Sequence, residues 1–137
     1  MTAKSTRLEK TASIMILLMI LLQGFYGVFS YLDPIAFSSV RGTELFSTMD
    51  ADWITIYGSR TLFITLIFAY LLHTRNFVVL MWGALFGTVM PITDGVLAYE
   101  ALAPFKVVVK HFATVVYLLA IFFILRTTIV NRSTSSK

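Results

Sequence analysis

The chain has 137 residues, of which 58% are hydrophobic and only 13% charged, and its mean hydropathy is +0.83. A soluble domain carries about 25% charged residues, so the composition points to an integral membrane protein of one domain. The formal net charge of +4 reads as topology and headgroup attraction, not nucleic-acid binding, because the bases sit near span ends, and the lack of cysteine excludes disulfides, thiolate catalysis and cysteine-ligated metals.

Four apolar runs are long enough to cross a bilayer, which takes about 20 residues of helix. They cover about Thr11–Leu32, Trp53–Leu72, Phe77–Tyr99 and Lys106–Leu125. Lys4, Arg7 and Lys10 precede the first run in the manner of a secretory signal, but the run is too long for one and reads as a retained span. Asp33-Pro34 ends it, since proline disfavours helix at the residue before it. In the connection over 33–52, Ile35, Phe37, Val40, Leu45, Phe46 and Met49 alternate with polar residues. Such an outward-facing segment lies in the interface or folds over the mouth of the bundle, or else is a plain connecting loop. Asp52 is a plausible cap for the second span, and Asp50 and Asp52 lack a third ligand for a cation.

In the third span Gly83 and Gly87 form a G-x-x-x-G spacing, with Met90 and Asp94 further down the same stripe. Small residues at this spacing let helices pack closely, within the bundle or between copies of the chain. Pro91 should kink this span. The Ser/Thr-rich tail over 131–137 is expected to be disordered. Seven of the bases (Lys4, Arg7, Lys10, Arg75, Arg126, Arg132 and Lys137) fall on one side, against Arg41, Lys106 and Lys110 on the other. Both termini should then be cytoplasmic, in a bacterial inner membrane or a plasma membrane.

Three ionisable side chains fall inside spans: Arg60, Asp94 and His111. At about 1.5 Å per residue each lies roughly 8–10 Å inside the outward end of its helix. A charge at such depth costs roughly 2.5–3.5 kcal/mol on insertion scales and usually faces a partner inside the bundle. Gln23, Tyr26, Gly27 and Ser30 share one face of the first span. Tyr57, Thr61 and Thr65 accompany Arg60, and Thr93 and Thr114 complete a polar layer drawn from all four spans.

The layer has a binding reading and an architectural one. In the first, Arg60 forks onto a carboxylate, phosphate or carbonyl oxygen, Asp94 and His111 act as a base–acid pair, and Tyr57, Gln23, Tyr26, Ser59 and Thr93 complete the pocket. In the second, Arg60 and Asp94 form a structural ion pair in an accessory or scaffold protein. A proton-coupled carrier is a third possibility, and it would require a homo-oligomer. No catalytic residue is assigned. Metal is not expected, because His73 lies at the opposite side and leaves one histidine in the layer. No other cofactor is implied.

The stretches Tyr57-Gly58-Ser59-Arg60 and Pro91-Ile92-Thr93-Asp94-Gly95, followed by His111, resemble a family of small four-span membrane proteins of unknown function, loosely DoxX-like, found in bacteria and fungi. The resemblance covers Asp50 to about Leu125 and implies the same fold and the same three polar positions, without an activity. Its members often follow the arginine with an acidic residue, where this chain has Thr61. The sequence therefore predicts an all-α, antiparallel four-helix transmembrane bundle. Its partners should be membrane lipid and a small amphipathic or lipid-like ligand, held by a polar pocket in the outward half.

Overall fold

The computed structural model describes residues 3–45, 47 and 50–135. They form six helices: α1 (Ala3–Leu32), α2 (Pro34–Arg41), α3 (Ala51–His73), α4 (Phe77–Gly87), α5 (Val89–Glu100) and α6 (Phe105–Ser135). No strand occurs among the described residues. Four stretches are long and apolar enough to cross a membrane: Arg7–Leu32, Ala51–His73, Phe77–Glu100 and Phe105–Thr134. They match the four apolar runs in number and order. The protein is an all-α antiparallel bundle with short α2 as a fifth layer at one end.

Two expectations need correction. The connection after α1 is not irregular, since α2 occupies its first half. Phe46 and Met49 of that apolar stretch lie outside the described residues. The chain also stays helical through Asn131–Ser135, where a disordered tail is expected. The α6 register simply continues, for no proline or glycine interrupts it. Ser136 and Lys137 lie outside the described residues.

The third span is broken in two. Pro91 lacks the N–H that would bond the carbonyl of Gly87. One turn earlier the helix tightens: Thr88 donates its backbone N–H (3.2 Å) and its hydroxyl (2.7 Å) to the Leu85 carbonyl. The kink read from Pro91 is thus a junction between α4 and α5 at Thr88.

The helices pack in the order α3, α1, α6, then α4 and α5. Along the α1–α3 seam small residues bring the backbones together. A methyl on Gly58 would run into the Ser30 hydroxyl, and one on Gly27 would stand 2.7 Å from the Leu62 side chain. Closure between α3 and the third span is lopsided. Near the tight His73–Phe77 turn, Gly83 of α4 accepts the Phe68 ring, where an added Cβ would be 2.7 Å from it. Further away α3 and α5 barely meet.

The solid core fills the half of the bundle that holds the termini, centred on Ala12, Ile16, Leu80, Ile121 and Leu125. That end is clamped by buried Glu9, 8% exposed, which accepts from Arg132 of α6 and lies 3.7 Å from Arg75 in the α3–α4 turn. The other half, under α2, is hollow.

Candidate functional site

The short helix α2 exists because its ends are well specified. The Asp33 carboxylate accepts from the Ala36 N–H (2.9 Å), and Pro34 stands in the first turn, where its missing donor costs nothing. Gly42 ends the helix in the left-handed region with φ +93°, which a residue with a Cβ rarely adopts. It also packs tightly, since a Cβ there would lie 2.7 Å from Val107 and 3.2 Å from Ala98.

Between these caps the helix is amphipathic. Phe37, 2% exposed, inserts among Tyr26 and Phe29 of α1 and Tyr57 of α3, with ring centroids 5.6–5.8 Å away. The helix thus packs against both α1 and α3.

The C-terminus of α2 carries the site's main polar contacts. Nη2 of Arg41 donates to Oδ1 of Asp94 at 2.7 Å, and Nε donates to the same oxygen at 3.3 Å. Both side chains are largely withdrawn from solvent, at 20% and 14% exposure. The guanidinium lies 4.5 Å from the Tyr57 ring centroid, a cation–π distance. Two residues of α6 satisfy carbonyls that the end of α2 leaves open: Lys110 donates to Val40 (2.6 Å), and Nε2 of His111 donates to Arg41 (3.0 Å). Positive charge at a helix C-terminus also matches the helix dipole. A carbonyl only accepts, so Nε2 of His111 carries the proton.

Beneath this cap lies a cavity of about 160 Å³. Its upper wall is polar, formed by Gln23, Tyr26, Arg41, Tyr57, Asp94 and His111. Its lower wall is apolar, formed by residues such as Met19, Ile64, Phe68, Leu80, Leu118 and Ile121. Ile16 and Tyr26 both line it, and ten residues of helix rise about 15 Å. The space is therefore long and narrow, with a polar head and an apolar stem. Thr61, Thr65 and Thr114 also face it, but each hydroxyl bonds a carbonyl one turn back in its own helix.

Five of the eight expected site residues come together here: Asp94, His111, Tyr57, Gln23 and Tyr26. Arg60, Ser59 and Thr93 do not line the cavity and are exposed. The Ser59 and Thr93 hydroxyls bond Ile56 and Val89 carbonyls in their own helices. The expected Arg60–Asp94 pair is replaced by Arg41–Asp94, an arginine from α2 that sequence reasoning counted only as a loop base.

The reason is azimuth. On α3 the cavity stripe is Tyr57, Thr61, Ile64, Thr65 and Phe68. At about 100° per residue, Arg60 stands roughly 40° beyond Ile64, on the side away from α1. Thr93 stands roughly 60° beyond Met90 on α5 by the same rule. Both therefore flank the slot where α3 and α5 barely meet.

The small residues of the third span divide the packing roles expected of them. Gly83 takes the Phe68 ring, whereas a methyl on Gly87 would meet only Leu118 at 3.9 Å, an ordinary contact. Gly83, Gly87 and Pro91 all border the cavity.

Chemically, the head of the cavity offers cationic and phenolic donors, one carboxylate and one imidazole. Ser59 is exposed and does not line it, and the Thr61 hydroxyl is bonded to its own helix. Among the described residues no three metal-ligating side chains converge.

Residues 15–125 match the family described as a domain of unknown function, DUF4267, and the chain belongs to that family. No similar protein of curated function and no similar solved structure was found.

Proposed function

We propose that this member of the DUF4267 family holds one small amphipathic or lipid-like molecule, head beneath α2 and tail down the cavity, and takes it up sideways from the membrane. The observation that carries the reading is the polarity of the cavity: charged and phenolic groups at one end, hydrocarbon at the other. A space of about 160 Å³ is close to one that accepts a benzene ring. It therefore suits a single narrow chain or a small ring, not a two-chain phospholipid.

Lys110, Arg41 and Tyr57 would bind a carboxylate or carbonyl head. The route follows from the packing, since α2 covers the top and the Phe68–Gly83 contact closes the bottom. The slot between α3 and α5 is left, with Arg60 on its edge. An arginine within a span and without an ion pair among the described residues is costly unless an anion or the interface receives it. Arg60 at the slot would meet the anionic head of an arriving molecule.

The orientation belongs to the same proposal. The excess of Lys and Arg at the end with the termini supports a cytoplasmic position for that end, with α2 outside. The looser kinship with DoxX-like bundles would supply the fold alone.

The test is photo-crosslinking with a diazirine-bearing decanoate. Labelling should concentrate on peptides holding Met19–Ile20, Ile64–Phe68 and Leu118–Ile121. Gly87→Leu, which fills the cavity from a position with room for a methyl, should abolish it while the protein stays folded. Labels spread over lipid-facing surfaces and unchanged in Gly87→Leu would overturn the proposal.

A further inference from the structure

A second concavity lies on the opposite side of the seam, at the end with the termini, between α1 and α3. It measures about 460 Å³ and shares no lining residue with the cavity. We infer that it binds the headgroup and upper acyl chain of an anionic phospholipid.

The groove is graded along α1. Lys10, Ser13, Ile14 and Leu17 follow the i, i+3, i+4, i+7 spacing of one helix face, so charge gives way to hydroxyl and then to hydrocarbon over about 10 Å of rise. Leu72 of α3 adds to the apolar floor, and Arg75 stands opposite Lys10 at the head. That order of chemistry matches a phospholipid lying along a span, from phosphate to glycerol to chain.

The charge of the head selects an anion. Glu9 lines the groove too, but its carboxylate is engaged by Arg132. Two bases, Lys10 and Arg75, thus line the groove beside one carboxylate that is already engaged. Arg75 reaches Glu9 only at 3.7 Å, and its side chain is 77% exposed, so most of its donors face outward. Its backbone adopts φ +54° in the tight turn between α3 and α4. Lys10 is exposed beside it. A basic cleft between spans at headgroup level is a fit for phosphatidylglycerol or phosphatidylserine. It gives little advantage to phosphatidylcholine, whose own ammonium already offsets its phosphate.

Native mass spectrometry of the full chain, released from micelles holding equal phosphatidylglycerol and phosphatidylcholine, tests this. Retention of phosphatidylglycerol should predominate. Lys10→Gln should lower the preference about fivefold, and Lys10→Gln with Arg75→Gln should bring it close to parity. Arg126→Gln, an exposed base on α6 away from the groove, should leave it unchanged.

Equal retention of the two lipids by the native chain would overturn the inference, as would an unaltered preference in Lys10→Gln. Displacement of the lipid by millimolar glycerol phosphate would overturn it as well, since the groove would then be a site for free anions. Lys10→Gln, at an exposed position, keeps the test decisive if the double variant fails to fold.

Discussion

Asp94 carries different consequences from Arg60, although both are charges inside spans. Asp94→Ala would leave the Arg41 guanidinium beneath α2 without its carboxylate. Removing one member of a buried pair costs about 3–5 kcal/mol, and the partial exposure of both side chains puts the expected loss near 3 kcal/mol. Among the described residues Arg60 makes no ion pair, so Arg60→Ala should change stability by less than about 0.5 kcal/mol. Thermal unfolding of the two variants in one detergent reads the difference directly. Equal losses would mean that Arg60 shares in holding the bundle. The depth of these residues was legible from sequence because helical rise is fixed; their direction was not, because a few tens of degrees of azimuth decide between cavity and slot. Arg41 had a signal that went unused. Asp33-Pro34 and Arg41-Gly42 bracket a run with helix-start and helix-stop chemistry, and an arginine at the last turn of an amphipathic helix is placed to reach a neighbour.

At the scale of elements, α2 is fastened at two points, Phe37 on one side and the Arg41–Gly42 corner on the other. An eight-residue helix has almost no stability alone, so these attachments decide whether it forms. Gly42→Ala strains the left-handed cap and presses a methyl toward Val107. Amides of Phe37–Arg41 should then exchange with solvent at least tenfold faster, while those of Leu118–Leu125 hold their protection, as hydrogen-exchange mass spectrometry would show. Uniform acceleration would mean that α2 is part of the global fold unit and not a separately opening lid. The α1–α3 seam is the counterpart that cannot open. Gly58→Ala forces its methyl against the Ser30 hydroxyl, an overpacking worth about 1–3 kcal/mol. Ser30→Ala in the same chain should recover part of that loss. The spans themselves were readable because long apolar runs have few other meanings. The close approaches were not, since Gly58 and Ser30 lie 28 positions apart and only the packed pair reveals why neither can be larger.

For the whole molecule, the two halves divide the work. The half with the termini is solid, and the half under α2 is hollow. A hollow half needs a firm base, and Glu9 supplies it by joining α1 to α6 and to the α3–α4 turn. Little in the sequence marked it out: one acidic residue among three bases at the start of a span reads as surface. Its burial arises because α6 continues to Ser135, far enough for Arg132 to come alongside. Glu9→Gln would leave the Arg132 guanidinium facing a neutral amide, and the expected loss is about 2–3 kcal/mol across the cooperative unit. Arg75→Gln removes only a long, exposed contact and should cost less than about 1 kcal/mol. Unfolding midpoints of the two variants separate these roles. A large effect of Arg75→Gln with none for Glu9→Gln would place the clamp in the turn instead of between α1 and α6, and the packed half would then depend on the α3–α4 hairpin, not on the first and last spans meeting.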